Sequence, residues 1–373
     1  MLSAGLLFAA CSEEGEDKKP PVSSAYPTTL SEYGYFVGTM RDMDPAPGVI
    51  PYDVAATLWA DGSWKGRFIV LPEGEKAVFV EEEEWEFPEG TTIIKNFVLP
   101  LDMNDLDGPY RIVETRLLVR ENNDWTSLTY VWDAEETEAT RVRIGTTVDY
   151  TLQGRDGAPF SGTYVVPSET ECRQCHGRSS DGTHLLGLVT GQVNKDIVVD
   201  GETQNQIYWL ESQGIFSNTV GDVETMHRLV DPLDTAEPIH ERARAYLHAN
   251  CAHCHRQDAA ASRSGLILTE WNTNDYTAGI CKPPVAAGAG TGGRIHDIVP
   301  GDSEASIMVF RMDSVDPAIK MPELSNQIVD DFGVELIREW INTMPLAYCS
   351  PGYDDGTGDG DGDGDGDDEG GAP

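Results

Sequence analysis

The chain has 373 residues, 39% of them hydrophobic, with 8 Trp and 13 Tyr, which is enough for packed cores and for two or three domains. Its formal net charge of −38 argues against nucleic acid or an anionic membrane surface as a partner. The same charge suits either simple solubility or electrostatic steering toward a basic protein.

Residues 1–10 (MLSAGLLFAA) form an apolar run ending at Cys11. It is too short to span a bilayer and reads as the core of a signal peptide over 1–11. Phe8-Ala9-Ala10-Cys11 resembles a bacterial lipobox, with Phe8 where Leu is usual, and this implies lipidation at Cys11. Residues 12–27 are charged and then Pro/Ser-rich, a flexible tether.

Residues 28–166 carry candidate strands at 67–71, 77–80, 92–99, 110–119, 127–132, 141–144 and 163–166, separated by Gly, Pro, Asn and Asp turns. Short β-branched and aromatic runs at this spacing predict a β-sandwich-like domain. No His or Cys occurs between Ser12 and Glu171, so this segment alone cannot build an imidazole or thiolate metal site. Its acidic run 81–84 reads as a solvated edge, because consecutive strand residues point to opposite faces.

From 167 onward the pattern turns helical. Helices are predicted at 204–213, 238–249, 304–312 and 329–343, with a Pro/Gly-rich loop at 282–294. The tail, 350–373, is built of Gly-Asp repeats. Its D-x-D-G steps lack the glutamate and flanking helices of a calcium loop, so a disordered acidic tail is expected.

Two Cys-x-x-Cys-His sequences carry the chemistry: Cys172-Arg173-Gln174-Cys175-His176 and Cys251-Ala252-His253-Cys254-His255. At this spacing two thiols can form thioethers to one porphyrin, and the adjacent imidazole of His176 or His255 is held under the iron. Structural zinc modules place their pairs ~15–20 residues apart, much closer than these, and do not need the histidine. Two covalent haems c are therefore expected, and covalent haem attachment takes place outside the bacterial cytoplasm, where disulfides also persist. Cys281 and Cys349 could pair there or remain free thiols, which the sequence leaves open.

The sixth ligand sets what each iron does. Met321, in Lys320-Met321-Pro322 before the last helix, is the candidate at the second haem, where a thioether raises the reduction potential. At the first haem the candidates are His184 and Met226, or an open position. His240, His248, His253 and His296 read as surface or supporting residues, and Arg294 or Arg311 as propionate partners or ordinary surface arginines.

A helix ending in a haem motif, a second helix, Met-Pro and a final helix with Trp340 resemble class I cytochrome c over 238–344. A wider resemblance covers roughly 26–344. Leu30-Ser31-Glu32-Tyr33-Gly34, Glu114-Thr115-Arg116-Leu117-Leu118-Val119, Cys281-Lys282-Pro283-Pro284, Val299-Pro300-Gly301-Asp302 and Met321-Pro322-Glu323-Leu324 are similar to a family of largely uncharacterised bacterial diheme c-type cytochromes. It implies haem binding, electron-carrier activity and an envelope location.

The expected fold is multidomain α+β. An N-terminal β-sandwich-like domain at 28–166 precedes mostly α-helical cytochrome c-type haem domains, at 167–237 and 238–349. The expected function is one-electron transfer by an exported diheme protein, in the periplasm or at the outer membrane, whose only membrane contact is a lipid anchor and whose partners are envelope redox proteins. The alternative is a diheme peroxidase, or the cytochrome subunit of a periplasmic dehydrogenase, with the first haem as catalytic site.

Overall fold

The computed structural model describes residues 26–345 and 349, apart from 83, 106–107, 179–181, 286 and 325. The expected signal segment with Cys11, most of the tether and the Gly-Asp tail lie outside these residues.

A six-stranded antiparallel sheet organises the chain. Its strands run in sequence order: β1 (Val49–Pro51), β2 (Trp64–Val70), β3 (Thr92–Pro100), β4 (Tyr110–Glu121), β5 (Asp124–Trp132) and β6 (Ala139–Val142). The central strand β3 is buried along nearly its whole length, so both faces of the sheet are covered. On one face Phe68, Ile94, Leu117 and Leu128 stand in register across four strands. They share a core with Leu30, Met43 and Val49, which close that side.

Because side chains alternate along a strand, the neighbouring rows point the other way. One such row is Ile69, Ile93, Leu118 and Ser127, and another is Arg67, Lys95, Arg116 and Thr129. Ile69 and Ile93 pack with Leu185, Leu188, Ile207 and Leu210, so the segment after the first Cys-x-x-Cys-His motif completes the core on this face. A separate hairpin, β7 (Thr146–Gln153) with β8 (Pro159–Val166), buries Val148, Tyr150 and Leu152 against Phe97, Leu99 and Val113.

The expected fold class needs correction. The regular structure is chiefly antiparallel strand and only 20% is helix, so mostly helical haem domains do not follow a β-sandwich. After β8 come short pieces: α1 (Cys172–His176), the hairpin of β9 (Gly177–Arg178) and β10 (Gly182–Thr183), α2 (Thr190–Val193), the hairpin of β11 (Asp196–Val199) and β12 (Glu202–Asn205), and α3 (Gln206–Ser212). Longer helices form only later, as α4 (Ile239–Asn250) and α6 (Asp331–Thr343), with the short α5 (Ile307–Met312) between them. The physical reason lies between them. Turn-forming Gly, Pro, Asn and Asp interrupt every apolar period, so 251–306 follows turns with two short 3-10 segments. Strands β1–β6 form one meander with the two-stranded β7–β8 packed on it, and 77–80 makes only isolated bridges among the described residues, Ala77 to Phe216 and Val78 to Glu86.

α4 and α6 pack through Ala243, Tyr246 and Leu247 against Val334, Ile337, Trp340 and Ile341. Cys281 and Cys349 are joined by a disulfide. The loop between β1 and β2 ties this cluster to the sheet. Trp59 N–H donates to Asn250 Oδ1 at 2.6 Å, and Asp61 Oδ1 accepts from the amides of Gln327 and Ile328 at 2.7 and 3.0 Å.

Candidate functional site

The first motif is α1 itself. It opens on a turn in which Ser168 donates its amide and hydroxyl to Glu171 Oε2, at 2.8 and 2.7 Å. After His176 the chain folds straight back through β9 and β10. His184 N–H donates to the His176 carbonyl at 2.7 Å, and His176 Nδ1 reaches the His184 carbonyl at 2.8 Å. Asp124 Oδ1 fastens the returning strand by accepting from Thr183 N–H at 2.8 Å. Gly177 permits this reversal, since a Cβ there would lie 2.5 Å from the Arg173 carbonyl oxygen.

The second motif follows α4, whose C-terminal turn delivers Cys251 into the α4–α6 core edge. His255 Nδ1 lies 3.1 Å from Ser264 Oγ. That hydroxyl donates its single proton to the Ala261 carbonyl at 2.7 Å and so can only accept from His255. The carbonyl facing His176 can likewise only accept. Both imidazoles therefore carry their proton on Nδ1 and keep the Nε2 lone pair, the form in which histidine binds a metal. Burial pushes both down to about 4, so each is neutral at pH 7.

The two motifs line one cavity of about 530 Å³. Cys172, Cys175, His176, Cys251, Cys254 and His255 all face it, and so do Met308, Met312 and Met321. The sheet supplies the opposite wall through Ile93, Lys95, Arg116, Leu118 and Ser127. None of the four motif cysteines is in a disulfide. Burial pushes Cys251 up to about 12 and raises Cys172 as well. The second cysteines of the two motifs meet: ligand atoms of Cys175, His253 and Cys254 all lie within 4.8 Å of one another. A hydrogen bond shared by the two thiols lowers the pKa of Cys175 and raises that of Cys254.

The donor set fits haem c. Each thiol pair stands three residues apart on the wall of a shared cavity within the usual ligand-pocket range of about 300–1,000 Å³, with a neutral Nε2 beside it. The Cys175, His253 and Cys254 group offers soft N/S ligands but is one short of a closed zinc site among the described residues.

Of the expected sixth ligands, Met321 lines the cavity. His184 and Met226 do not. His184 Nδ1 is 3.0 Å from Glu84 Oε1, and Met226 is packed in the apolar core with Val220 and Val223. Arg311 lines the cavity, whereas Arg294 stacks on Phe310 at 4.2 Å and donates its Nε to the Glu304 carbonyl. Two features escaped sequence reasoning. His253 reaches the junction of the motifs, its Nδ1 buried without a hydrogen-bond partner among the described residues. Lys95 and Arg116 also face the cavity; Lys95 had a signal as the one cation of the largely apolar β3, whereas Arg116 sits in the charged β4 and had none. Comparison with family models, curated proteins and solved structures gives no match.

Proposed function

We propose that this chain is an exported diheme c-type cytochrome that carries out one-electron transfer. One observation carries the reading: both Cys-x-x-Cys-His motifs open on a single cavity, each with its histidine fixed as the Nδ1–H tautomer. Cys172 and Cys175 would hold one haem by thioethers, with His176 as axial ligand, and Cys251, Cys254 and His255 would hold the other. Bound haem c supplies a one-electron couple at its iron. Met321 is the sixth-ligand candidate for the second group, and Ile93, Leu118 and Leu188 give the shared space an apolar lining.

An envelope location, lipid anchorage at Cys11 and docking of a basic redox protein on the acidic surface belong to the same proposal. No helix among the described residues is long and apolar enough to cross a membrane. The test is a haem count on the exported protein: a mass increment and an alkaline pyridine spectrum equal to two covalent haems are expected. A chain exported without covalent haem would overturn the reading.

A second reading is an enzyme, a diheme peroxidase or the cytochrome subunit of a periplasmic dehydrogenase, working at the first haem. It is favoured by the placement of His184 and Met226 away from the cavity, which leaves that iron without either expected sixth ligand. Low-temperature EPR separates the two, since a high-spin ferric signal supports the enzyme and two low-spin signals sink it.

A further inference from the structure

Arg67, Lys95 and Arg116 lie directly opposite one another on β2, β3 and β4, and all three line the cavity. Directly paired strand residues stand about 5 Å apart, where like charges destabilise a sheet. The described carboxylates do not balance this row. Asp53 pairs with Arg67 at 3.0 Å but also with Lys195 at 2.8 Å. Glu114 pairs with Arg116 and accepts from the Tyr164 hydroxyl at 2.7 Å. Glu171, also on the cavity wall, is occupied by Ser168. The middle cation, Lys95, makes no hydrogen bond or ion pair among the described residues, and only the Phe97 ring lies beneath it, 5.1 Å from Nζ. Burial and the flanking arginines pull Lys95 down to about 7, the cost of holding a cation there without an anion.

We propose that Arg67, Lys95 and Arg116 form an anion-binding row that takes a carboxylate- or phosphate-sized group within the shared cavity. Two guanidiniums flanking an ammonium suit an oxyanion: Arg116 gives its Nε and Nη2 to Glu114 and Arg67 its Nη1 to Asp53 and the Lys65 carbonyl, so the anion would meet the remaining N–H groups of the arginines and the point charge of Lys95 between them. The anion is either a propionate of the haem at the first motif or a free small anion entering the cavity. The first source rests on the haem reading above; the second does not.

The test uses the full-length protein as exported, wild type beside Lys95→Gln, Lys95→Met and Lys95→Arg. If a propionate fills the row, Lys95→Gln lowers one of the two reduction potentials. It also raises the pH at which that potential responds to propionate ionisation. Lys95→Arg restores both, and added phosphate or succinate has no effect. If a free anion fills it, phosphate or succinate shifts one potential of the wild type saturably, and Lys95→Gln weakens this response at least tenfold. Lys95→Met repeats either pattern where the amide destabilises the fold. Potentials and anion responses unchanged by both neutral variants would overturn the proposal. So would a low-spin to high-spin change in Lys95→Gln, because Lys95 would then be an iron ligand. Should the chain carry no covalent haem, the proposed function falls and calorimetry decides this row separately. Phosphate or succinate binding that is lost in Lys95→Gln supports it, and no binding to the wild type overturns it.

Discussion

The chemistry of the candidate site turns on two hydrogen bonds. A carbonyl at His184 and a hydroxyl at Ser264 that is already donating leave His176 and His255 no choice of tautomer. The Ser264 contact can be removed by substitution, whereas the backbone contact at His176 cannot. In Ser264→Ala the Nδ1–H of His255 loses its acceptor, and if the proposed haem is held there the imidazole would be a poorer donor to its iron and would favour the ferric state less. One reduction potential is then expected to rise by a small part of the ~0.8 V range that axial ligation commands, with the other unmoved. Redox titration checks it, and a shift shared by both haems would contradict the assignment. Met321 stands on the same cavity wall, with its N–H donating to the Arg311 carbonyl at 3.0 Å. Met321→Ala should abolish the weak sulfur-to-iron band at the red end of the ferric spectrum and lower one potential by about tenths of a volt. An unchanged ferric spectrum would mean that another side chain holds that iron.

Elements position these residues through close contacts that leave no room for change. Gly333 sits one turn into α6, where a Cβ would come 2.0 Å from the Tyr246 hydroxyl of α4. That hydroxyl donates to Asp330 Oδ2 at 2.8 Å, and Asp330 Oδ1 caps α6 by accepting from Gly333 N–H. Gly333→Ala therefore drives the helices apart and disrupts the cap together. A loss of about 1–3 kcal/mol is expected in denaturant unfolding, although Ala is the better helix former; equal or greater stability would show that α4 gives way freely. The helices were legible in the sequence because apolar residues recur at helical spacing, as in Val334, Ile337 and Ile341, and the strands because β-branched runs end at turns. Proportion was not legible. The loop at 282–294 was plain from its Pro and Gly, but the equally turn-rich 251–281 was not read as such, so helical domains were expected where loops predominate. The site followed the same rule. Covalent chemistry fixes the spacing of a Cys-x-x-Cys-His motif, so both motifs were plain. That they share one cavity depends on contacts such as Asn250 with Trp59, made far apart along the chain.

For the whole molecule, the cavity joins what the sequence divides, with the sheet as one wall and both motif segments as the others. On the proposed haem reading, its histidines would make stability depend on whether haem is attached. Burial holds His176, His248 and His255 each near 4, below the ordinary value of about 6.5 that they regain on unfolding. Between these values the unfolded chain binds more protons, so stability falls as pH drops from 6.5 toward 4. Full effect is about 1–3 kcal/mol per histidine, reduced where a ring faces the water-accessible cavity. His227 works in the other sense, because its hydrogen bond to Glu270 raises it, and that contribution is present below 6.5 and lost as pH rises through the folded value. Burial also raises Asp61 and Asp330, which favours the folded state at acid pH and blunts the low end of the fall. Attachment of haem would remove His176 and His255 from this balance, since an Nε2 bound to iron no longer takes up a proton there. His248, packed at a tilt against Trp271 with Nδ1 accepting from the Glu270 amide, would remain. Denaturant midpoints of the haem-loaded chain should therefore fall less between pH 6.5 and 4 than those of a chain with Cys172, Cys175, Cys251 and Cys254 replaced by Ala. Parallel curves would mean that His176 and His255 titrate alike in both forms, and that neither is held by iron.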